Sequence, residues 1–123
     1  MKQILLVFIG GGIGSATRFG IGRLLKNTIG TFPIGTFFVN IVGCLLIGVL
    51  MGWGLKNQNI NENQTLLLIT GFCGGFTTFS AFAAENQFFL KNGEFTQFLT
   101  YTLASLILGI LAVIFGLFIS KHL

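Results

Sequence analysis

The chain carries few side chains able to do chemistry, and most of them stand inside apolar sequence. The densest group is "GFCGGFTTFSAF", Gly71 to Phe82, with three hydroxyls, three glycines and four phenylalanines. A segment meant only to cross lipid would be leucine, isoleucine and valine. Phe79 and Phe82 stand three apart, a helical spacing, with Ser80 between them. Aromatic rings carry a positive edge, so rings presented edge-on can coordinate an anion. Phenylalanines at this spacing also serve as core or lipid-facing residues, and the chain holds 15 of them. Just upstream, Gly74 and Gly75 favour unwinding, and unwound carbonyls at a midplane break bind cations. Two carbonyls from each of two chains, those of Gly74 and Thr77, would enclose one small hard ion. Gly71 and Gly75 equally fit the small-xxx-small spacing of close helix packing, and the residues alone leave both readings open.

Three further groups are candidates. Asn40 is the only strongly polar side chain deep in "GTFFVNIVGCLLIG", where an amide bonds either across helices or into a wet cavity. Tyr101 and Ser105 stand four apart, with Thr102 beside them on an adjacent face. Such hydroxyls form a track of donors or bond back to the carbonyl four residues earlier. Arg18 and Glu85 are the ionisable residues furthest inside apolar sequence, which makes them functional candidates. Arg18, late in its segment, has the alternative of running outward to the membrane interface. Glu85 lies one turn past Phe82, where it would face a vestibule.

No catalytic grouping emerges, and the chain reads as a non-enzyme. The single histidine, His122, is the penultimate residue, and there is no acid pair or serine–histidine arrangement. "GGGIGSATR" has the look of a phosphate loop, but it lacks a preceding strand and a Gly-Lys-Ser/Thr. Close helix packing through Gly10 and Gly14 accounts for it better. Cys44 and Cys73 lie in different apolar segments, with neither a disulfide framework nor a metal spacing. The net charge of +4 is spread over segment ends without a basic stripe, so nucleic-acid binding has no support.

The elements that must position these residues are membrane helices. Of 123 residues, 53% are hydrophobic and 8% charged, against about 25% charged in a soluble domain. A bilayer core needs roughly 20 apolar residues per helix. Residues 3–25, 33–55, 65–90 and 95–120 satisfy this, giving one four-helix transmembrane domain over 1–123. The connectors "KNTIGTF", "KNQNINEN" and "KNGE" are rich in turn formers, and Pro33 suits the start of the second helix. Three further spans follow the first segment, so it is read as a retained helix. Four spans put both termini on one side. Lys2, Lys56 and Lys121 on that side face Arg23, Lys26 and Lys91 on the other, with Arg18 further inside. A balanced count gives no reason to insert one way only. Dual topology follows as an expectation, with an antiparallel homodimer as its product.

Taken together, "GGGIGSATR", "GTFFVNIVG" and "GFCGGFTTFSAF", in order within four short spans, resemble the Fluc (CrcB) family of bacterial fluoride channels. The resemblance covers nearly the whole chain. It implies a passive fluoride-selective channel of the bacterial inner membrane, built as an antiparallel dual-topology dimer with two pores. It also implies a structural sodium ion at the dimer centre, on carbonyls of Gly74 and Thr77. Phe79 and Phe82 match the pore phenylalanines, Asn40 the vestibule asparagine, Arg18 the first-span arginine, and Tyr101 and Ser105 the hydroxyl track. Ser80 and Glu85 are assigned to the same fluoride path. The partners expected are fluoride, a second copy of the chain and membrane lipid. There are two departures: Ala81 stands where threonine is frequent, and Gly109 where the family can carry another hydroxyl. Two rivals stand beside this reading. A small proton-coupled multidrug-type exporter needs a buried carboxylate in its first span, and residues 3–25 have none. A non-transporting assembly protein would use its glycines only to pack helices.

Overall fold

A backbone in hydrocarbon must satisfy its own hydrogen bonds, so long apolar segments fold as helices. A computed structural model describes residues 1–57 and 60–123, leaving Gln58 and Asn59 of the second connector outside the described residues. The side chain of Lys56, counted among the loop charges, also lies outside them. Among the described residues, four helices are long and apolar enough to cross a membrane. The first runs Lys2–Leu25, the second Ile34–Asn57 and the fourth Phe95–Ser120. Pro33 precedes the second helix instead of opening it, and its carbonyl accepts from the Phe37 N–H at 3.1 Å.

The third span is composite. It starts in a capping box: Asn61 Oδ1 accepts the Gln64 N–H at 2.8 Å, and Gln64 Oε1 accepts the Asn61 N–H at 3.0 Å. One α turn, Glu62–Thr65, leads into π-helix over Leu66–Cys73 and a short α segment, Gly74–Phe76. The chain then straightens at Thr77 (φ −85°, ψ 159°) and Thr78 (φ −150°, ψ 125°) before helix resumes over Phe79–Lys91. Thr78 Oγ1 caps the new helix by accepting the Ala81 N–H at 3.2 Å. The break therefore falls on the two threonines, while Gly74 and Gly75 remain helical. The span ends in a Schellman turn. Gly93, at φ 72°, donates to the Leu90 carbonyl, and Glu94 donates to Phe89, at 3.2 and 2.8 Å.

The glycines set how closely the helices meet. A Cβ on Gly10 would strike the Leu67 carbonyl, one on Gly14 the Phe72 carbonyl, and one on Gly75 the Gly11 carbonyl. The first helix and the leading part of the third span thus touch backbone to backbone. Gly48 and Gly116 do the same for the second and fourth helices, against Val113 and Leu45. The packing role of Gly71 and Gly75 holds: Gly71 meets Gly10 as Gly75 meets Gly11. Inside these contacts Val39, Cys73, Phe76, Phe89 and Tyr101 are buried.

Candidate functional site

The site is built around the break. Asn40, on the second helix, offers both amide atoms to one residue. Its Nδ2 donates to the Thr78 carbonyl at 3.0 Å, and its Oδ1 accepts the Thr78 N–H at 2.7 Å. In a continuous helix that N–H would reach back to the Gly74 carbonyl. Asn40 holds the interruption open and releases the Gly74 oxygen from its helical donor. Neighbouring carbonyls are engaged: Cys73 accepts both the Thr77 N–H (3.0 Å) and the Thr77 hydroxyl (2.9 Å). Gly75 accepts from Arg18 Nε at 3.0 Å. Arg18, half-buried, thus turns in to the break instead of out to the interface. Gly74 faces outward, where a Cβ would meet only the Ile69 carbonyl, at 3.9 Å. Gly74 and Thr77 carbonyls, neutral oxygens, suit a hard monovalent cation if a second copy doubles them.

A groove of about 290 Å³ opens beside the break, and Asn40, Thr77, Phe79, Phe82 and Ser105 share its wall. Asn40 therefore both bridges helices and lines a cavity. The Phe79 and Phe82 rings lie 5.9 Å apart at 46°. Phe79 is 79% exposed, whereas Phe82 packs on Tyr101 at 5.0 Å. Ser105 Oγ is buried without a hydrogen-bond partner among the described residues, and so is Thr102 Oγ1. Neither bonds back along its helix. Ser80 is exposed, its hydroxyl 3.3 Å from that of Thr78.

Tyr101 does not reach the groove. It is buried within rings of Phe32, Phe37, Phe82 and Phe89, at centroid distances of 5.4, 6.4, 5.0 and 6.2 Å. Its hydroxyl donates to Glu85 Oε1 at 2.7 Å, and the Thr36 hydroxyl donates to Oε2 at 2.7 Å. The hydroxyl track therefore divides, with Ser105 on the groove and Tyr101 on the carboxylate. Glu85 lines a separate cavity next to the first connector. Thr36 is the site residue that sequence reasoning missed. Its signal was faint: a lone hydroxyl in the apolar first turn "IGTFF". Of the departures, Gly109 is buried, with a Cβ there 3.5 Å from Cys44 Sγ, and Ala81 is half-exposed.

Residues 5–117 match the family described as CrcB-like protein, Camphor Resistance (CrcB). The chain is 43% identical over 122 residues to the fluoride-specific ion channel FluC of Azobacteroides pseudotrichonymphae, covering 98% of both chains. It is 45% identical over 123 residues to the protein of that name from Phocaeicola vulgatus, covering 98% of this chain and 100% of the relative. For the one from Gloeothece citriformis the identity is 45% over 123 residues, 99% of each chain. Neither a proton-coupled exporter nor a passive assembly protein fits such relatives. Four spans, a threonine break held by an asparagine, and relatives matching from end to end lead to one conclusion: the chain is a multi-pass membrane protein belonging to the CrcB family.

Proposed function

We propose that this protein is a fluoride-selective passive channel through which fluoride leaves the cytoplasm across the bacterial inner membrane. The observation that carries the reading is the groove at the break, where an amide, two phenyl rings and an unpartnered hydroxyl meet. Fluoride is small and tightly hydrated, so a selective pore must replace its water shell with donors and positive ring edges. The groove offers both. Export needs no energy coupling and no catalysis. Fluoride enters as neutral HF, dissociates inside, and is driven out by the membrane potential.

A single copy leaves Phe79 79% exposed, and a second chain in the opposite orientation supplies the missing wall. The balanced lysine and arginine count supports that arrangement. At the two-fold axis of such a dimer, Gly74 and Thr77 carbonyls from both chains would hold sodium. When bound, the ion supplies fixed positive charge beside the anion paths. The test is efflux from liposomes loaded with potassium fluoride, started with a potassium ionophore and followed with a fluoride electrode. Fluoride should leave and chloride should stay. Equal efflux of both, or none, overturns the proposal.

A further inference from the structure

The groove beside the break follows one face of the second helix, where Asn40, Cys44 and Ile47 recur at helical spacing. Its opposite wall comes from the fourth helix, at Ser105 and Leu106. Most of its polar atoms are already committed. Asn40 uses its oxygen and one amide hydrogen on Thr78, and the Thr77 hydroxyl donates to the Cys73 carbonyl. Ser105 Oγ is buried without a hydrogen-bond partner among the described residues. One turn further along the fourth helix, the same face carries Gly109, which has no side chain to offer. A thiol from the second helix stands in its place: a Cβ on Gly109 would lie 3.5 Å from Cys44 Sγ, in ordinary van der Waals contact. Cys44 is free and half-buried, whereas Cys73 is free, fully buried and no part of the groove wall.

We propose that Cys44 is a further specificity-determining residue of the channel, its thiol continuing onto the second helix the row of donors that lapses on the fourth at Gly109. The proposal rests on the channel reading above. A thiol is a weak donor on a small apolar body. At this position it offers an ion leaving Ser105 a polarised hydrogen, in a stretch otherwise walled by the hydrocarbon of Ile47 and Leu106. The smaller halide has the tighter hydration shell to replace, so an added donor favours fluoride over chloride. The same placement opens the thiol to a small neutral methanethiosulfonate entering the groove. The cysteine sulfur attacks the reagent's sulfenyl sulfur, a disulfide to the methylthio group forms, methanesulfinate leaves, and the thiol proton passes to water. The adduct then narrows the groove.

The experiment uses the full chain in the liposome assay, before and after methyl methanethiosulfonate. Cys44→Ala should release fluoride about threefold more slowly, the loss expected of one weak donor. Cys44→Ser should run at the unaltered rate or above it. Cys44→Ala/Gly109→Ser should recover the rate too, because a hydroxyl returns to the same place from the opposite helix. The reagent should slow the unaltered chain about tenfold, reversibly with dithiothreitol, and leave Cys44→Ala untouched although Cys73 remains. Three results would each overturn the role of Cys44 and leave the channel reading intact. They are an unaltered rate in Cys44→Ala, a slow Cys44→Ala that neither serine variant rescues, and a reagent that affects both chains equally or neither. If the unaltered chain passes no fluoride, the channel reading fails, and the role of Cys44 with it.

Discussion

Asn40 joins the second helix to the third at the place where the third lacks a ladder of its own. Asn40→Asp keeps an acceptor for the Thr78 N–H but loses the donor to the Thr78 carbonyl and puts negative charge on the groove wall. Unit charges about 5 Å apart at an effective dielectric of about 20 repel by about 3 kcal/mol, so fluoride efflux should fall roughly a hundredfold. Efflux within a few fold of the unaltered rate would remove Asn40 from the anion path. The two phenylalanines separate electrostatics from packing. Phe79→Ile should nearly abolish flux while losing little packing within its own chain, where the ring is 79% exposed. Phe82→Ile should abolish flux and also lower the melting temperature, because that ring packs on Tyr101 at 5.0 Å. Unchanged flux in both variants would return the pair to a packing role. Asn40 and Ser105 were legible as polar residues in apolar surroundings, and Phe79 with Phe82 only through their helical spacing next to the break segment. The partners of Glu85 were not, since Thr36 and Tyr101 lie 49 and 16 residues away in the chain.

Helix contacts were legible where they depend on spacing within one segment. Gly10 with Gly14, and Gly71 with Gly75, recur four apart, and that period places them on one face of a helix. Both pairs sit in the backbone contact between the first helix and the third span. The position of the break was not legible in the same way. Glycine composition pointed to Gly74 and Gly75, but what opens the ladder is an amide on another helix, 38 residues away. The glycines have a different task, and it can be tested. Gly14→Ala forces a Cβ against the Phe72 carbonyl, whereas Gly12→Ala, on the same helix, meets nothing within 4 Å. Overpacking should cost the first variant about 1–3 kcal/mol, and the second should be neutral or slightly stabilising from helix propensity. Thermal unfolding in detergent checks this. Equal destabilisation by both would refute the packing account.

For the whole molecule, the proposed antiparallel dimer turns on orientation. Adding two lysines to the second connector should bias insertion to one direction and reduce efflux. Co-expression with an oppositely biased chain should restore it. Full activity from a chain shown to insert one way only would sink the antiparallel dimer. The interruption at Thr77 and Thr78 bears on why such a dimer would handle ions of both signs. A helix has a macrodipole, partly positive at its first N–H groups and partly negative at its last carbonyls. Stopping at Phe76 and restarting at Phe79 places one end of each kind near the same depth of the third span. The outgoing carbonyls favour a cation, and the incoming amides, next to the phenyl pair, favour an anion. Neither end exists in an uninterrupted helix. On the proposed channel reading, a variant that heals the break should therefore lose fluoride and sodium binding together, since a single missing turn creates both fields.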